Sequence, residues 1–218
     1  MAAYYASILY GALLTVGVSL AALLVSVLLG LLGAGAKLSG NRPLVALATG
    51  YTTIIRGIPE LVLMLLVFYG GSIGINHLLE LSGTGATLDI NPFTAGVLTL
   101  GFIYGAYMTE TFRGAILAIP RGQFEAAAAF GMGPVQMFLR ITAPQMVRHA
   151  VPGFTNNWLV LIKATALVSL IGLQEMTYLA KQASAATRSP FAFFLFTASL
   201  FLIYTWVSLT LLRKLHGR

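Results

Sequence analysis

The sequence predicts an all-α membrane protein, a bundle of about five transmembrane helices with a short cytoplasmic helix, in one domain over residues 1–218. Three observations predict it. First, 58% of the residues are hydrophobic and only 9% are charged, against roughly 25% charged in a soluble domain. Second, the apolar residues gather into runs of about 20, the length that crosses a bilayer. Third, Lys and Arg fall almost entirely into alternate loops between those runs, the asymmetry that orients helical membrane proteins.

The elements follow in order. The first span is Ile8 to Ala36, longer than a crossing needs, so a tilt or a kink near Gly17 is expected. Lys37, Asn41, Arg42 and Pro43 end it. A moderately apolar connector over Leu44–Ile55 leads to Arg56-Gly57-Ile58-Pro59. The second span runs from Pro59 to Leu81 and contains Gly70, Gly71 and Gly74, so it is broken or closely packed. Ser82–Pro92 is an exposed loop rich in Gly, Thr, Asp and Pro. The third span is Phe93–Ile119, stopped by Pro120. Arg121–Ala150 is more polar and holds an alanine-rich helical run. The fourth span is Val151–Leu173, Gln174–Pro190 is a polar loop, and the fifth span is Phe191–Leu212.

One set of loops carries Lys37, Arg42, Arg56, Arg121, Arg140, Arg148, Arg213, Lys214 and Arg218; the other carries Lys181 and Arg188. Positive residues mark the cytoplasmic side. The C-terminus and the Arg121–Ala150 segment therefore face the cytoplasm, and the N-terminus faces out. The formal charge of +7 is spread between spans rather than along one stripe, which argues against nucleic acid and for membrane lipid as the surrounding partner. No basic segment precedes the first apolar run, so that run is expected to be retained rather than cleaved. Cysteine is absent, so a disulfide framework and thiolate metal ligands are excluded. His77, His149 and His216 are scattered, and no metal site or Ser-His-acid constellation is expected.

The cytoplasmic segment carries the sharpest signal. Glu125 to Pro144 reads EAAAAFGMGPVQMFLRITAP. Alanines favour helix and Gly131 is a natural terminator. Such a helix is too short and too polar to cross a bilayer. Composition alone leaves it either lying on the membrane surface or docking on a partner. The pattern resembles the EAA loop of ABC importer permeases, with Glu125, Ala126, Ala127, Gly131, Ile141 and Pro144 at the family's offsets and Ala143 where the family usually has Leu. The resemblance implies that residues 121–144 form a coupling loop whose helix sits in a cleft of an ATPase subunit.

The likeness extends over the chain. Arg56-Gly57-Ile58-Pro59 resembles the family's Arg-Gly-Thr-Pro before the second span. Glu110-Thr111-Phe112-Arg113-Gly114 resembles the acid-x-x-Arg-Gly that closes the third. Leu161 to Ser169 resembles the fourth-span motif of polar amino-acid permeases, with Ala164 where many have Asp or Asn. Together with Tyr51-Thr52-Thr53 and Gly101 to Tyr107, these features resemble the histidine/lysine/arginine/ornithine branch, with opine permeases as near relatives. The resemblance implies an ABC type I importer transmembrane fold in a bacterial inner membrane. It also implies a second, homologous permease subunit, two ATPase subunits that use ATP and Mg, an external solute-binding protein, and import of a polar, basic amino acid by alternating access.

No ATPase is expected in the chain itself. The nearest approach to a phosphate-binding loop, Gly33-Ala34-Gly35-Ala36-Lys37, has the wrong spacing, and Leu38 replaces the required hydroxyl. The chain is thus expected to bind no cofactor and to do no covalent chemistry. An ATP-independent secondary transporter is the rival reading; such folds often show inverted repeats, and none is visible. A membrane enzyme would need a catalytic cluster.

Charges inside spans cost about 2.5–3.5 kcal/mol on insertion scales and so mark candidate function. Four are prominent: Glu60, Glu110, Arg113 and Lys163. Lys163 shares a helical face with Asn156, seven positions earlier; Asn157, Thr165 and Ser169 lie close by. This set is the candidate substrate path. Lys163 or Arg113 suits a solute carboxylate, and Glu110 or Glu60 suits its cationic end. Alternatively Glu110 and Arg113, three apart, simply pair, and Glu60 sits where a helix start favours an acid. Glu175 and Asp89 are expected to be solvated loop acids. Gly70/Gly74 and Gly101/Gly105 have the spacing of close helix packing, expected within the chain rather than at a dimer seam.

Overall fold

The computed structural model describes residues 1–83 and 91–216, and every regular element among them is helical. The helices are α1 (Ala2–Leu38), α2 (Arg42–Gly57), α3 (Glu60–Leu81), α4 (Pro92–Leu117), α5 (Arg121–Ala129), α6 (Pro134–Ile171), α7 (Met176–Thr187) and α8 (Pro190–His216). Asp89 lies outside the described residues.

Among the described residues, four helices, α1, α3, α6 and α8, are long and apolar enough to cross a membrane. The expected third span, α4, has 26 residues but is diluted by Gly, Thr and Tyr. Its surroundings explain the dilution. α4 is the centre of the bundle, with α1 along one side and α6 along another. Leu100, Ile103, Ala106 and Met108 have no exposed surface. A helix enclosed by protein does not need a lipid-compatible surface.

Between membrane helices, van der Waals packing replaces the hydrophobic drive, so backbones must approach closely. Glycines permit this on both partners. A β-carbon on Gly101 of α4 would lie 2.5 Å from Val25 Cγ1 of α1, and one on Gly105 would lie 2.8 Å from Leu29 Cβ. In return, Gly30 of α1 leaves room for Met108. The expected packing within the chain thus holds for Gly101/Gly105. Among the described residues, nothing beyond the backbone of their own turns and their chain neighbours lies within 4 Å of a notional β-carbon on Gly70 or Gly74 of α3. The core beyond this seam joins Val18 and Ala22 to Ile103, Tyr104, Trp158 and Leu161.

Three segments differ from the sequence expectation. The connector over Leu44–Ile55 is the interior of a 16-residue helix, α2, with Pro43 in its first turn and one face (Ala48, Thr52, Ile55) buried. The fourth span does not begin at Val151. It extends as one helix back to Pro134, through a widened π turn at Phe138–Thr142, and closes with a tight 3₁₀ segment at Thr165–Ile171. The widened turn falls just before Pro144, and Pro152 sits in the interior; both residues lack the N–H that a regular turn would use. α3 carries a similar π turn at Leu66–Gly70. The polar loop over Gln174–Pro190 contains the 12-residue helix α7.

Glu175 is not a solvated loop acid: it is 1% exposed. Its carboxylate caps α7 by accepting from the Tyr178 N–H at 2.8 Å, and it accepts from the Thr15 hydroxyl of α1 at 3.2 Å. Gly11 of α1 makes this seat possible, because a β-carbon there would stand 2.9 Å from Met176 N. Ile8, Met176, Ala180, Ala183 and Phe193 pack beneath it.

Candidate functional site: a coupling element and a charged lane

α5 is the alanine-rich helix expected from sequence. It runs to Ala129, and Phe130 begins its exit. Gly131 has φ +72°, the left-handed conformation that favours glycine. The Gly131 N–H bonds to Ala128 O at 2.9 Å and the Met132 N–H to Ala127 O at 3.0 Å, a paired closure that satisfies the last carbonyls. Ala127 is buried, whereas Glu125 and Ala126 are exposed. Ile141 lies half-buried in the π turn of α6 and Pro144 is exposed just beyond it. The sequence did not single out the apolar side chains around this motif. Phe130 is 85% exposed and Val135 73%. Both lie inside the Glu125–Pro144 stretch, Phe130 at the exit of α5 and Val135 in the first turn of α6, and leave apolar area uncovered there.

A second group of residues gathers on α4. Tyr104, Tyr107 and Glu110, spaced three apart, face α2 and the start of α3. Glu110 accepts from Lys37 Nζ at 2.5 Å with one oxygen, and from Arg113 Nε at 3.0 Å and Nη2 at 2.9 Å with the other. Lys37 also donates to the Thr52 hydroxyl at 2.6 Å. The expected Glu110–Arg113 pair is therefore present, joined by a cation from the end of α1. Nearly two turns earlier on α4, the buried Tyr104 hydroxyl lies 3.0 Å from both oxygens of Glu60 and donates into that carboxylate. Arg56 stands over the Tyr107 ring at 5.4 Å. Lys37, Thr52, Thr53, Arg56, Tyr107 and Glu110 line a cavity of about 500 Å³. Lys37, Arg56, Tyr104 and Tyr107 were not expected as site residues. Lys37 and Arg56 read as topology markers, and a tyrosine in an apolar run carries no separate signal.

The remaining candidates lie on α6 and divide by face. Asn156 and Lys163 are both exposed, as their shared face requires, and Ser169 is half-buried. Asn157 faces inward, donating to the Thr111 hydroxyl of α4 at 3.0 Å. Thr165 is buried and returns its hydroxyl to Ile162 O at 2.6 Å. Those two polar groups are occupied inside the chain.

Comparison with known proteins accords with this architecture. Residues 26–216 match the family described as binding-protein-dependent transport system inner membrane component. The chain is 49% identical to the histidine/lysine/arginine/ornithine transport system permease protein HisQ of Escherichia coli, over 97% of this chain and 92% of that protein. It is 41% identical to the octopine transport system permease protein OccQ of Rhizobium radiobacter, over 89% and 82%. Among solved structures, an amino acid ABC transporter crystallised with histidines superposes with a TM-score of 0.84 at 30% identity, over 100% of this chain and 96% of that one. The methionine ABC transporter MetNI shares the fold, with a TM-score of 0.77 at 16% identity, over 97% and 95%. With its all-helical fold and a family match over most of its length, the chain belongs to the inner membrane components of binding-protein-dependent transport systems, the ABC importer permeases.

Proposed function

We propose that the chain is the membrane-spanning subunit of an ATP-driven importer for polar, basic amino acids, working as one transmembrane domain by alternating access. The observation that carries this reading is the likeness, over nearly the whole length, to a permease named for histidine, lysine, arginine and ornithine. The octopine relative and the amino acid transporter structure support the polar amino-acid class.

In this reading the N-terminus lies outside and the C-terminus in the cytoplasm, following the Lys and Arg distribution. Residues 121–144 are the coupling loop, with Glu125, Ala126, Ala127, Gly131, Ile141 and Pro144 shaping a helix that docks on one of two partner ATPases. Those partners use ATP and Mg; this chain holds neither. A second permease subunit completes the path, and an external binding protein delivers solute. ATPase closure biases one packing of the bundle over another, which is all that coupling requires.

The solute-facing groups are Lys163 and Asn156 on the exposed face of α6, Ser169 beyond them, and Glu60 and Glu110 on the charged lane. An α-carboxylate suits Lys163, and a cationic side chain suits an acid of the lane. Arg113, fixed on Glu110, and the inward Asn157 and Thr165 serve as supports that hold the lane and α6 in place.

Reconstitution tests the proposal. The chain, its partner permease, the ATPase and the binding protein in liposomes should accumulate labelled arginine or histidine with ATP, and an uncoupler should leave uptake intact. Uptake that needs no ATP and stops with the uncoupler overturns it in favour of a secondary transporter.

A further inference from the structure

Between α1, α4 and α6 lies a cavity of about 270 Å³. Val27 and Leu31 of α1, Phe112 of α4 and Val147, Val151 and Phe154 of α6 line it, and the rest of the lining is apolar as well. A water needs roughly two to four polar partners to stay in a cavity, and no polar side chain lines this one. A polar solute is excluded for the same reason. Apolar cavities of about 150 Å³ stay dry and take apolar guests. This one opens at its rim, where Leu31 is 40% exposed and Val147 54%, so a guest enters from the outer surface of the bundle. Around a membrane-spanning chain, that surface meets hydrocarbon.

The depth of the cavity is set by the helix ends. Leu31 stands two turns before the end of α1, and Phe112 stands more than one turn before the end of α4. At 1.5 Å per residue these separations are about 8–10 Å, within one leaflet's share of a hydrocarbon core about 30 Å thick. The leaflet is the one beside the coupling loop, because α5 follows α4 directly. Charge at this level is one-sided. α6 carries Arg140, Arg148 and Lys163 and no acid. Arg148 is exposed and has no ion pair among the described residues. It precedes Val151 by three positions, so the two are neighbours on the helix surface. Helical side chains lean towards the N-terminus, which here is the headgroup side. Pro152 has no N–H to donate to the Arg148 carbonyl, so that oxygen lacks its regular helical donor. A guanidinium donor and a carbonyl acceptor beside an apolar cleft suit a ligand with an anion, hydroxyls and a hydrocarbon tail.

We propose that this cleft binds an anionic phospholipid of the phosphatidylglycerol class, with one acyl chain in the cavity and the phosphate on Arg148. The inference rests on the membrane-spanning fold and not on which solute is carried. It adds a lipid site outside the solute path, at the place where α6 packs against α1 and α4. Basic residues at the headgroup level favour anionic lipid, and salt screens that preference.

The test measures phospholipid held by the complete transporter. The purified complex is stripped of lipid in detergent, titrated with phosphatidylglycerol or phosphatidylcholine, and read by native mass spectrometry. The parent should retain phosphatidylglycerol at about tenfold lower concentration than phosphatidylcholine. Arg148→Glu should abolish that preference, and Arg148→Lys should keep it. Val147→Trp and Leu31→Trp each fill the mouth from an exposed position, one on either rim, so the packed interior is spared. Both should weaken retention of the two lipids while the complex keeps its elution volume. Equal retention of the two lipids by the parent overturns the proposal, as does unchanged retention in the rim variants. A preference that survives Arg148→Glu overturns it too, because the phosphate then sits elsewhere. Retention is read without transport, so the two readings fail separately. A complex that imports arginine but holds no phosphatidylglycerol sinks the lipid site alone; one that holds the lipid but imports nothing sinks the importer reading alone.

Discussion

Glu110 holds two cations at once, and its neighbours decide what each substitution does. The Lys37 side chain is 11% exposed and the Glu110 side chain 20%. Replacing Glu110 by Ala leaves both cations without their anion. Removing one member of a buried pair costs about 3–5 kcal/mol, a figure to lower here because the site is partly open. Glu110→Ala should therefore reduce the melting temperature in detergent by clearly more than Lys37→Met, which removes one of the two cations and leaves the Arg113 pair. Equal melting temperatures for the two variants would show that the cluster contributes little to stability. Spacing alone revealed the Glu110–Arg113 pair, because i,i+3 residues meet on any helix. Lys37, distant in sequence, was hidden because a basic residue at a helix end marks the end of an apolar run but not which helix it folds against.

Glu175 gives a pH-dependent counterpart at the start of α7. Burial pushes its carboxyl above the ordinary carboxylate range, and the Thr15 hydroxyl and the Tyr178 N–H offset only part of that rise. A raised folded-state pKa means that its stabilising contribution is complete below the unfolded value and is lost as pH rises through the folded one. Glu175→Gln keeps an acceptor for the helix cap and cannot ionise. It should melt higher than the parent at neutral pH, with the difference shrinking towards acid. A difference independent of pH would mean that the carboxyl is not the titrating group.

At the scale of elements, the alanine-rich helix α5 and its glycine stop at Gly131 were legible in the sequence, and α2 and α7 were not. α5 had an alanine run and a glycine stop, two signals that agree. α7 is built from Ala, Ser, Thr and Gln between two spans, a composition that read as loop although its alanines favour helix. α2 alternates apolar residues with threonines, and its buried face at Ala48, Thr52 and Ile55 shows helical spacing only once the helix is known. The long α6 was cut short at Val151 because Arg140, Arg148 and two prolines looked like a loop. Widened turns carry the helix through them. Two predictions belong here. Gly131→Leu puts a β-carbon into a left-handed backbone, so it should loosen the exit of α5 and lower ATPase co-purification, as should Glu125→Lys. Intact co-purification and transport in both would remove α5 from the interface. Gly105→Leu places a side chain where Leu29 and the Tyr51 hydroxyl already stand, so it should reduce the folded, membrane-inserted yield, measurable by fluorescence-detected size exclusion.

For the whole molecule, the long helices differ in how far this chain itself encloses them. α3 and α8 are little enclosed, with 11% and 17% of their most apolar windows buried. α4 is the reverse, and its polarity belongs to a helix wrapped by its own chain. That contrast explains why a hydropathy reading found the right class of fold but could not rank the helices by position. α6 is the element that joins the two faces. As one helix from Pro134 to Ile171, 38 residues long, it measures roughly 57 Å at 1.5 Å per residue. It begins beside the coupling loop and ends a few residues before α7. Treated as a lever pivoting at its Pro134 end, a rod of that length turned through about 5° carries its far tip about 5 Å, close to one helical turn. In the proposed importer, a small rotation where α6 meets α5 would thereby be read out at the α7 end as a displacement of about 5 Å.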